Sequence, residues 1–246
     1  MLEVIGNKIL IFWFENFASN VTAIELNEEV ILIDSSLYPE KLKKIIDLVQ
    51  LRTKKTVKKV FLTHHHPDHS FGAIFYEKLE IILSEKTLMK LFEYDDDLLK
   101  KISEESEFDF SNLQKKLSKC KFNVFRKDNL NTSSKTVISG ITLGGHTKDS
   151  TIYKIYPENI VITGDIIVSE IHSELNESNI DNWIKILEEL KKQEINIIIP
   201  GHGRPGDKKL IDNQLNYLKT FKAHGKDALL KKFKDYKYPE LLLNFQ

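Results

Sequence analysis

The chain has 246 residues, 41% hydrophobic and 29% charged, which suits an ordinary soluble globular protein of one α/β domain or two small ones. Its 36 basic and 36 acidic residues cancel, which excludes a global field drawing it to nucleic acid or to an anionic membrane. A single cysteine, Cys120, excludes an intrachain disulfide framework and reads as an incidental free thiol in a reducing, cytoplasmic setting.

The N-terminal part is rich in strand-like segments: Lys8 to Phe14, Val21 to Leu26 and Val30 to Asp34, with Asn27-Glu28-Glu29 as the turn of a hairpin. The apolar run Ile9 to Phe14 is too short for a secretory core, and no run approaches the roughly 20 residues of a membrane span. Pro39 to Leu51 has helical spacing, with Leu42, Ile45, Ile46 and Val49 on one face. Val57, Val60, Phe61 and Leu62 form a strand, and Ser70 onward is helix-like, with a short helix over Ala73 to Leu79 and a strand over Glu80 to Leu83. Residues 85–118 read as an acidic helical insertion whose buried side is Leu88, Leu91, Phe92, Leu98, Leu99 and Ile102. It is either a cap that shapes a pocket or a surface decoration. Strands resume at Phe122 to Phe125, Lys135 to Ile138, Ile141 to Leu143, Thr151 to Tyr156 and Ile160 to Thr163. A helix over Ile180 to Lys192 turns Trp183, Ile186, Leu187 and Leu190 to one face. It precedes a strand, Ile195 to Ile199, and a last amphipathic helix, Leu210 to Phe221. The tail after about residue 224 is basic and weakly periodic; it and the Lys-rich stretch Arg52 to Lys59 read as solvated surface. No repeat of solenoid length is evident. Strands followed by a helix occur twice, as expected of two stacked β/α halves in a single domain over 1–246.

The chemistry is concentrated in Thr63-His64-His65-His66-Pro67-Asp68-His69, which packs four metal-ligand types, His64, His66, Asp68 and His69, into six residues at the end of a strand. A polar loop or a purification tag are the bland readings, and Pro67-Asp68 within an internal run argues against a tag. Three further candidates each follow a strand-like segment beside glycine: His146 in Leu143-Gly-Gly-His, Asp165 in Ile162-Thr-Gly-Asp and His202 in Ile199-Pro-Gly-His-Gly. Glycine lets the backbone bend tightly and approach neighbouring loops there. A structural zinc site closes with four protein ligands, whereas a catalytic one keeps a position open.

In this order, from about Ile9 to Leu218, the motifs ending at Asp34, Thr63 to His69, His146, Asp165 and His202 resemble those of the metallo-β-lactamase fold superfamily of metallohydrolases. The resemblance implies an α/β fold, an αββα four-layer sandwich of two mixed β-sheets flanked by helices. It also implies two divalent metal ions, zinc first, with iron or manganese as alternatives. By the family pattern His64, His66 and His146 hold one ion. Asp68, His69 and His202 hold the second, and Asp165 bridges both. Asp34 would orient the first loop by hydrogen bonds, and His65 would point away from the metals. His172 and His224 receive no role, although His172 could reach a pocket rim.

What the resemblance implies about chemistry is hydrolysis of a small-molecule substrate by a hydroxide held between two ions about 3.5–4 Å apart. Asp68 is the catalytic candidate, as a proton shuttle. The expected substrate is an ester, thioester, lactone or similar carbonyl compound. A dedicated β-lactamase would carry cysteine or serine in place of Asp165, and one group would carry lysine in place of Val168. The alternatives are β-lactamase activity, a mono-iron persulfide dioxygenase, and a phosphodiesterase or nuclease. The neutral charge balance disfavours nucleic acid as partner, and no membrane partner is expected.

Overall fold

The computed structural model describes residues 1–6, 8–14, 18–126 and 136–243. The chain divides into two compact units: Leu2–Phe12 with Val21–Arg126, and Met1 with Trp13–Asn20 and Lys127–Gln246.

The first unit is built on a seven-stranded sheet whose strands lie in chain order. They are β1 (Leu2–Ile5), β2 (Ile9–Phe12), β3 (Val21–Glu25), β4 (Glu29–Ile33), β5 (Thr56–Phe61), β6 (Glu80–Ser84) and β7 (Lys121–Phe125). Pairing is antiparallel from β1 to β4 and parallel from β4 to β7. Parallel neighbours need crossovers, and helices cover such strands. Accordingly β4 and β6 read as the near-continuous apolar runs Val30 to Ile33 and Ile81 to Leu83, all buried. The hairpin at Asn27-Glu28-Glu29 joins β3 to β4 as expected. Strand β1 escapes a sequence reading because it is short and Leu2 and Val4 face solvent.

Helix α1 (Pro39–Thr53) follows β4 and buries Leu42, Ile45, Ile46 and Val49, the face its spacing indicates. Helix α2 (Pro67–Tyr76) follows β5 and corrects one expectation. The helix does not wait for Ser70 or Ala73; Pro67 is its first residue. The first turn of a helix has no use for the N–H that proline lacks, and its fixed φ suits that position. Asp68 and His69 therefore sit in the first turn of a rigid helix.

The segment between β6 and β7 forms α3 (Glu85–Phe92), α4 (Asp96–Ser106) and α5 (Leu113–Leu117). Ser84 and Asp95 cap the first two through bonds from the Thr87 and Leu98 amides. Leu91 and Leu99 are buried as expected, but Phe92 and Leu98 are exposed. The break between α3 and α4 gives each helix its own inward face, so one stripe cannot run through both. The inward contributions come instead from Tyr94, Phe110, Leu113 and Leu117. Phe110 meets the α2 residues Phe71 and Phe75 at ring separations of 5.1 Å, and Tyr94 meets Phe71 at 5.2 Å. A mere surface decoration would not pack this way against the helix that carries Asp68 and His69.

The second unit has a four-stranded sheet of β8 (Val137–Thr142), β9 (Thr151–Tyr156), β10 (Ile160–Ile162) and β11 (Ile197–Ile199), in the order β11-β10-β9-β8. Only β10 and β11 are parallel. The two strands expected on either side of Ser139-Gly140 are one, because the ladder to β9 continues through Gly140 opposite Tyr153; Lys135 lies outside the described residues. Helix α6 (Ile180–Lys192), capped by the Asn179 side chain, buries Trp183, Ile186, Leu187 and Leu190 as expected. These pack with Ile152, Val161 and Ile198 of the sheet and Ile211, Leu215 and Leu218 of α7 (Lys209–Lys232). Helix α7 is broken at Gly225, whose φ of 74° and ψ of −171° suit only glycine. Beyond the break the basic segment does not stay irregular. It resumes as helix, buries Leu229 and Phe233 in the same core, and ends in the short α8 (Glu240–Leu243). Among the described residues no helix is long and apolar enough to cross a membrane.

If the α3–α5 segment supports α2, Phe110→Ala should lower stability by about 3–5 kcal/mol, as loss of a fully buried aromatic does. Urea unfolding checks this; a change within a few tenths of a kcal/mol would restore the decoration reading.

Candidate metal centre

In the first unit the ligand candidates hang on one carboxylate. Asp34 directly follows β4 with a φ of 60°, and Ser36 has 68°, a tight and strained turn for residues with side chains. The Asp34 carboxylate is buried and accepts three bonds at 2.8 Å: from the Thr63 amide, the Thr63 hydroxyl and His69 Nδ1. Because the Thr63 hydroxyl donates its proton to Asp34, its oxygen accepts from His64 Nδ1 at 3.0 Å. Both imidazoles therefore carry their proton on Nδ1 and present Nε2 as a lone-pair donor, the arrangement expected of a metal-binding histidine.

The turn after Asp34 also seats the helix. The Ser35 amide and hydroxyl donate to the His69 carbonyl at 3.0 and 2.9 Å, and the Ala73 amide donates to the same hydroxyl. Gly72 gives its amide to the Ser36 carbonyl, and a Cβ there would lie 2.5 Å from the carbonyl oxygens of Ser35 and Ser36. His66 precedes α2 and holds its first turn by accepting from the His69 and Ser70 amides. The His64 and His66 rings are 4.6 Å apart and offer ligand atoms within 4.8 Å of each other. His69 Nε2 stands 3.4 Å from Asp68 Oδ2. His65 is buried with its ring 5.9 Å from that of Tyr94, whose hydroxyl reaches the His65 carbonyl at 3.4 Å.

In the second unit, three strand ends deliver the other candidates. His146 follows β8 after Gly144 and Gly145, which adopt φ of 77° and 105°. Its Nδ1 donates to the Glu174 carbonyl at 3.2 Å, so this ring too presents Nε2. Asp165 lies in the single 3-10 turn Gly164–Ile166 after β10. His202 follows β11 and forms a bridge with Val168. The Nε2 atoms of His146 and His202 approach one oxygen, Asp165 Oδ2, at 3.7 and 3.4 Å.

These separations fit the donor set to a metal. Two ligands on a tetrahedral zinc, each 2.0–2.2 Å from it, lie about 3.4 Å apart. A hydrogen bond between the same atoms would be tighter, about 2.7–3.2 Å. Gly201 shows how closely the loops approach, since a Cβ there would lie 1.9 Å from Asp165 Oδ1. The buried Asn20 braces the same loop, donating through Nδ2 to the carbonyls of Pro200 and Gly203 at 2.9 and 2.8 Å.

A sequence model of the metallo-beta-lactamase superfamily matches residues 15–202, which span every ligand candidate and three quarters of the chain. The chain belongs to the metallo-beta-lactamase superfamily. It is 27% identical over 211 residues to the metallo-beta-lactamase type 2 of Bacillus sp. (strain 170), a match covering 83% of this chain and 74% of that one. It is also 27% identical over 210 residues to the enzyme of the same name from Bacillus cereus, covering 83% and 75%. The fold is that of a metallo-beta-lactamase from Pontibacter korlensis, with a TM-score of 0.68 at 18% identity over 89% of this chain and 98% of that one. The enzyme from Hirschia baltica is similar, at 0.63 and 16% over 88% and 96%. Two mixed sheets flanked by helices are thus the superfamily architecture, as the sequence implied, and the chain is an enzyme of this superfamily of metal-dependent hydrolases.

Three supports have no sequence signal: Asn20, Ser35 and the Glu174 carbonyl are ordinary turn residues that meet their partners only through the fold. His172 is buried and lines a small pocket with His146, Asp165, Ser173 and His202. His224 lies on α7 in a surface groove with Lys219 and Lys231, apart from these ligands. Cys120 is half-buried, and burial pushes its thiol up to about 11, so it is held as an unreactive thiol.

Gly201→Ala should displace Asp165 and lower bound metal at least tenfold, while far-UV circular dichroism stays native. Undiminished metal content in the folded variant would show that the close approach to Asp165 is not needed.

Proposed function

We propose that this chain is a dinuclear metal-dependent hydrolase acting on an ester, thioester, lactone or similar small carbonyl substrate. The observation that carries this reading is the orientation of the donors. His64, His69 and His146 each have Nδ1 committed to a hydrogen bond, and the His146 and His202 nitrogens approach one Asp165 oxygen. Superfamily membership supports the grouping: His64, His66 and His146 for one ion, Asp68, His69 and His202 for the other, Asp165 for both.

Two divalent ions supply Lewis acidity and bring the pKa of a water toward neutrality. The chain's own residues do the rest. The Asp34 network fixes the imidazoles before any ion arrives, so little reorganisation accompanies binding. Asp68, partly buried at the start of α2 with Oδ2 beside His69 Nε2, can take up the proton released during attack and return it to the leaving group. The helix N-terminus beneath it favours the charged carboxylate.

Zinc is the proposed metal, on the nitrogen-rich donor set, and the lone, half-buried Cys120 suits a cytoplasmic setting. The β-lactamase reading has one observation in its favour, the names of the 27% identical relatives. Against it stand Asp165 where dedicated enzymes resemble each other in carrying cysteine or serine, and the buried apolar Val168 where one group carries lysine.

Elemental analysis of protein prepared without added metal should find about two zinc ions per chain. Hydrolysis of thioesters and lactones should then exceed that of β-lactams in a common panel. About one iron per chain, with oxygen uptake on a persulfide, would replace this reading by a dioxygenase. Asp68→Ala should lower kcat by at least 100-fold in a folded protein; normal turnover would remove Asp68 from the mechanism.

A further inference from the structure

Residues Ile171 to Glu174 line the pocket beside the second unit's ligand candidates, yet the support of this segment comes from far along the chain. The Lys237 amide donates to the Glu170 carbonyl, and the His172 amide donates to the Lys237 carbonyl, both at 3.0 Å. From α7, Gln214 Nε2 donates to Ser173 Oγ at 2.9 Å, and the Tyr217 hydroxyl accepts from the Ser173 amide at 3.3 Å. Tyr217, Gln214, His172 and Ser173 are all buried. The Tyr217 ring stacks on Tyr236 and packs against Phe233, with centroids 6.1 and 5.1 Å away.

Proton counting then settles the network. Since the Tyr217 oxygen accepts the Ser173 N–H, its own proton is free for His172 Nδ1, 3.1 Å away. Burial holds the imidazole below the usual histidine range, although nearby Glu240 and the Phe233 backbone act to raise it. His172 Nδ1 is thus committed to Tyr217, and His172 acts as a strut although it lines the pocket. One residue beyond Ser173, the Glu174 carbonyl accepts from His146 Nδ1.

We infer that Tyr217 and Gln214 are positioning residues for His146: by fixing the Ser173 backbone and hydroxyl they hold the Glu174 carbonyl where it orients the His146 ring and keeps its proton on Nδ1. The inference rests on the ligand role of His146 proposed above. It gives the last part of the chain a task in the metal centre that no sequence motif marks.

The test uses the full chain, with zinc affinity read by chelator competition and the His146 imidazole nitrogens read by NMR on the metal-free protein. Tyr217→Phe keeps the stacked ring and removes only the oxygen. It should weaken zinc binding by roughly tenfold, the range for loss of such outer supports, and shift or broaden the His146 Nδ1–H signal. Gln214→Met should act in the same direction, and it decides the matter alone if Tyr217→Phe does not fold. Tyr236→Phe, which alters the same aromatic stack but not these hydrogen bonds, should bind zinc as the wild type does; an equal loss there would assign the effect to packing and overturn the inference. So would wild-type affinity and an unchanged His146 signal in both Tyr217→Phe and Gln214→Met. His146→Ala separates the two levels: weakened zinc binding by this variant upholds the ligand reading independently of Tyr217, and unweakened binding removes that reading and the inference with it.

Discussion

The buried carboxylate of Asp34 is the fixed point of the first unit. A carboxylate removed from water must recover its hydration through hydrogen bonds, and Asp34 does so with three donors at 2.8 Å, two of them from Thr63 and one from His69. Those donors lie on different segments, the loop after β5 and the start of α2. Satisfying one buried charge therefore fixes the strand end, the helix start and the protonation of two imidazoles together. Breaking any one of these bonds would leave the carboxylate under-solvated, so the loop has little freedom to adopt another arrangement. The strained φ of Asp34 and Ser36 is tolerated for the same reason: the turn is over-determined by its partners.

The second unit reaches a similar result by close backbone approach. Its ligand candidates sit on three loops after the ends of β8, β10 and β11, and Gly201 lets the His202 loop pass against Asp165 where any side chain would collide. Asn20 ties the same loop from a segment 180 positions away in sequence. Rigid strands with short loops hold donor atoms to within fractions of an ångström, which a metal site requires.

Elements that look peripheral serve these loops. The α3–α5 segment sends Tyr94 and Phe110 beneath α2, and so bears on Asp68 and His69 from behind. Helix α7 and the 233–238 segment bear likewise on the stretch from Glu170 to Glu174. Strand ends, and in the first unit also the start of α2, carry the candidate donors, and aromatic packing lies one layer back.

The sequence by itself determined which donor types the chain offers, their order, and most of the strands and helices around them. Metal chemistry needs particular donor atoms, and the apolar periodicity of α1, α6 and the parallel strands follows from which face is buried. It also determined the family, because His64 to His69, His146, Asp165 and His202 sit at strand ends in the superfamily's order. Only the tertiary structure decided that Pro67 begins α2, that Phe92 and Leu98 face outward while Tyr94 and Phe110 turn inward, and that the basic C-terminal stretch is a packed helix. It alone revealed Asn20, Ser35, Tyr217 and the Glu174 carbonyl as supports. Their residue types are common in turns and cores, and the information lies in contacts across tens to hundreds of positions. Local pattern reports which atoms a chain can offer; which partner holds Nδ1 of His64, His69 and His146 is decided by the fold.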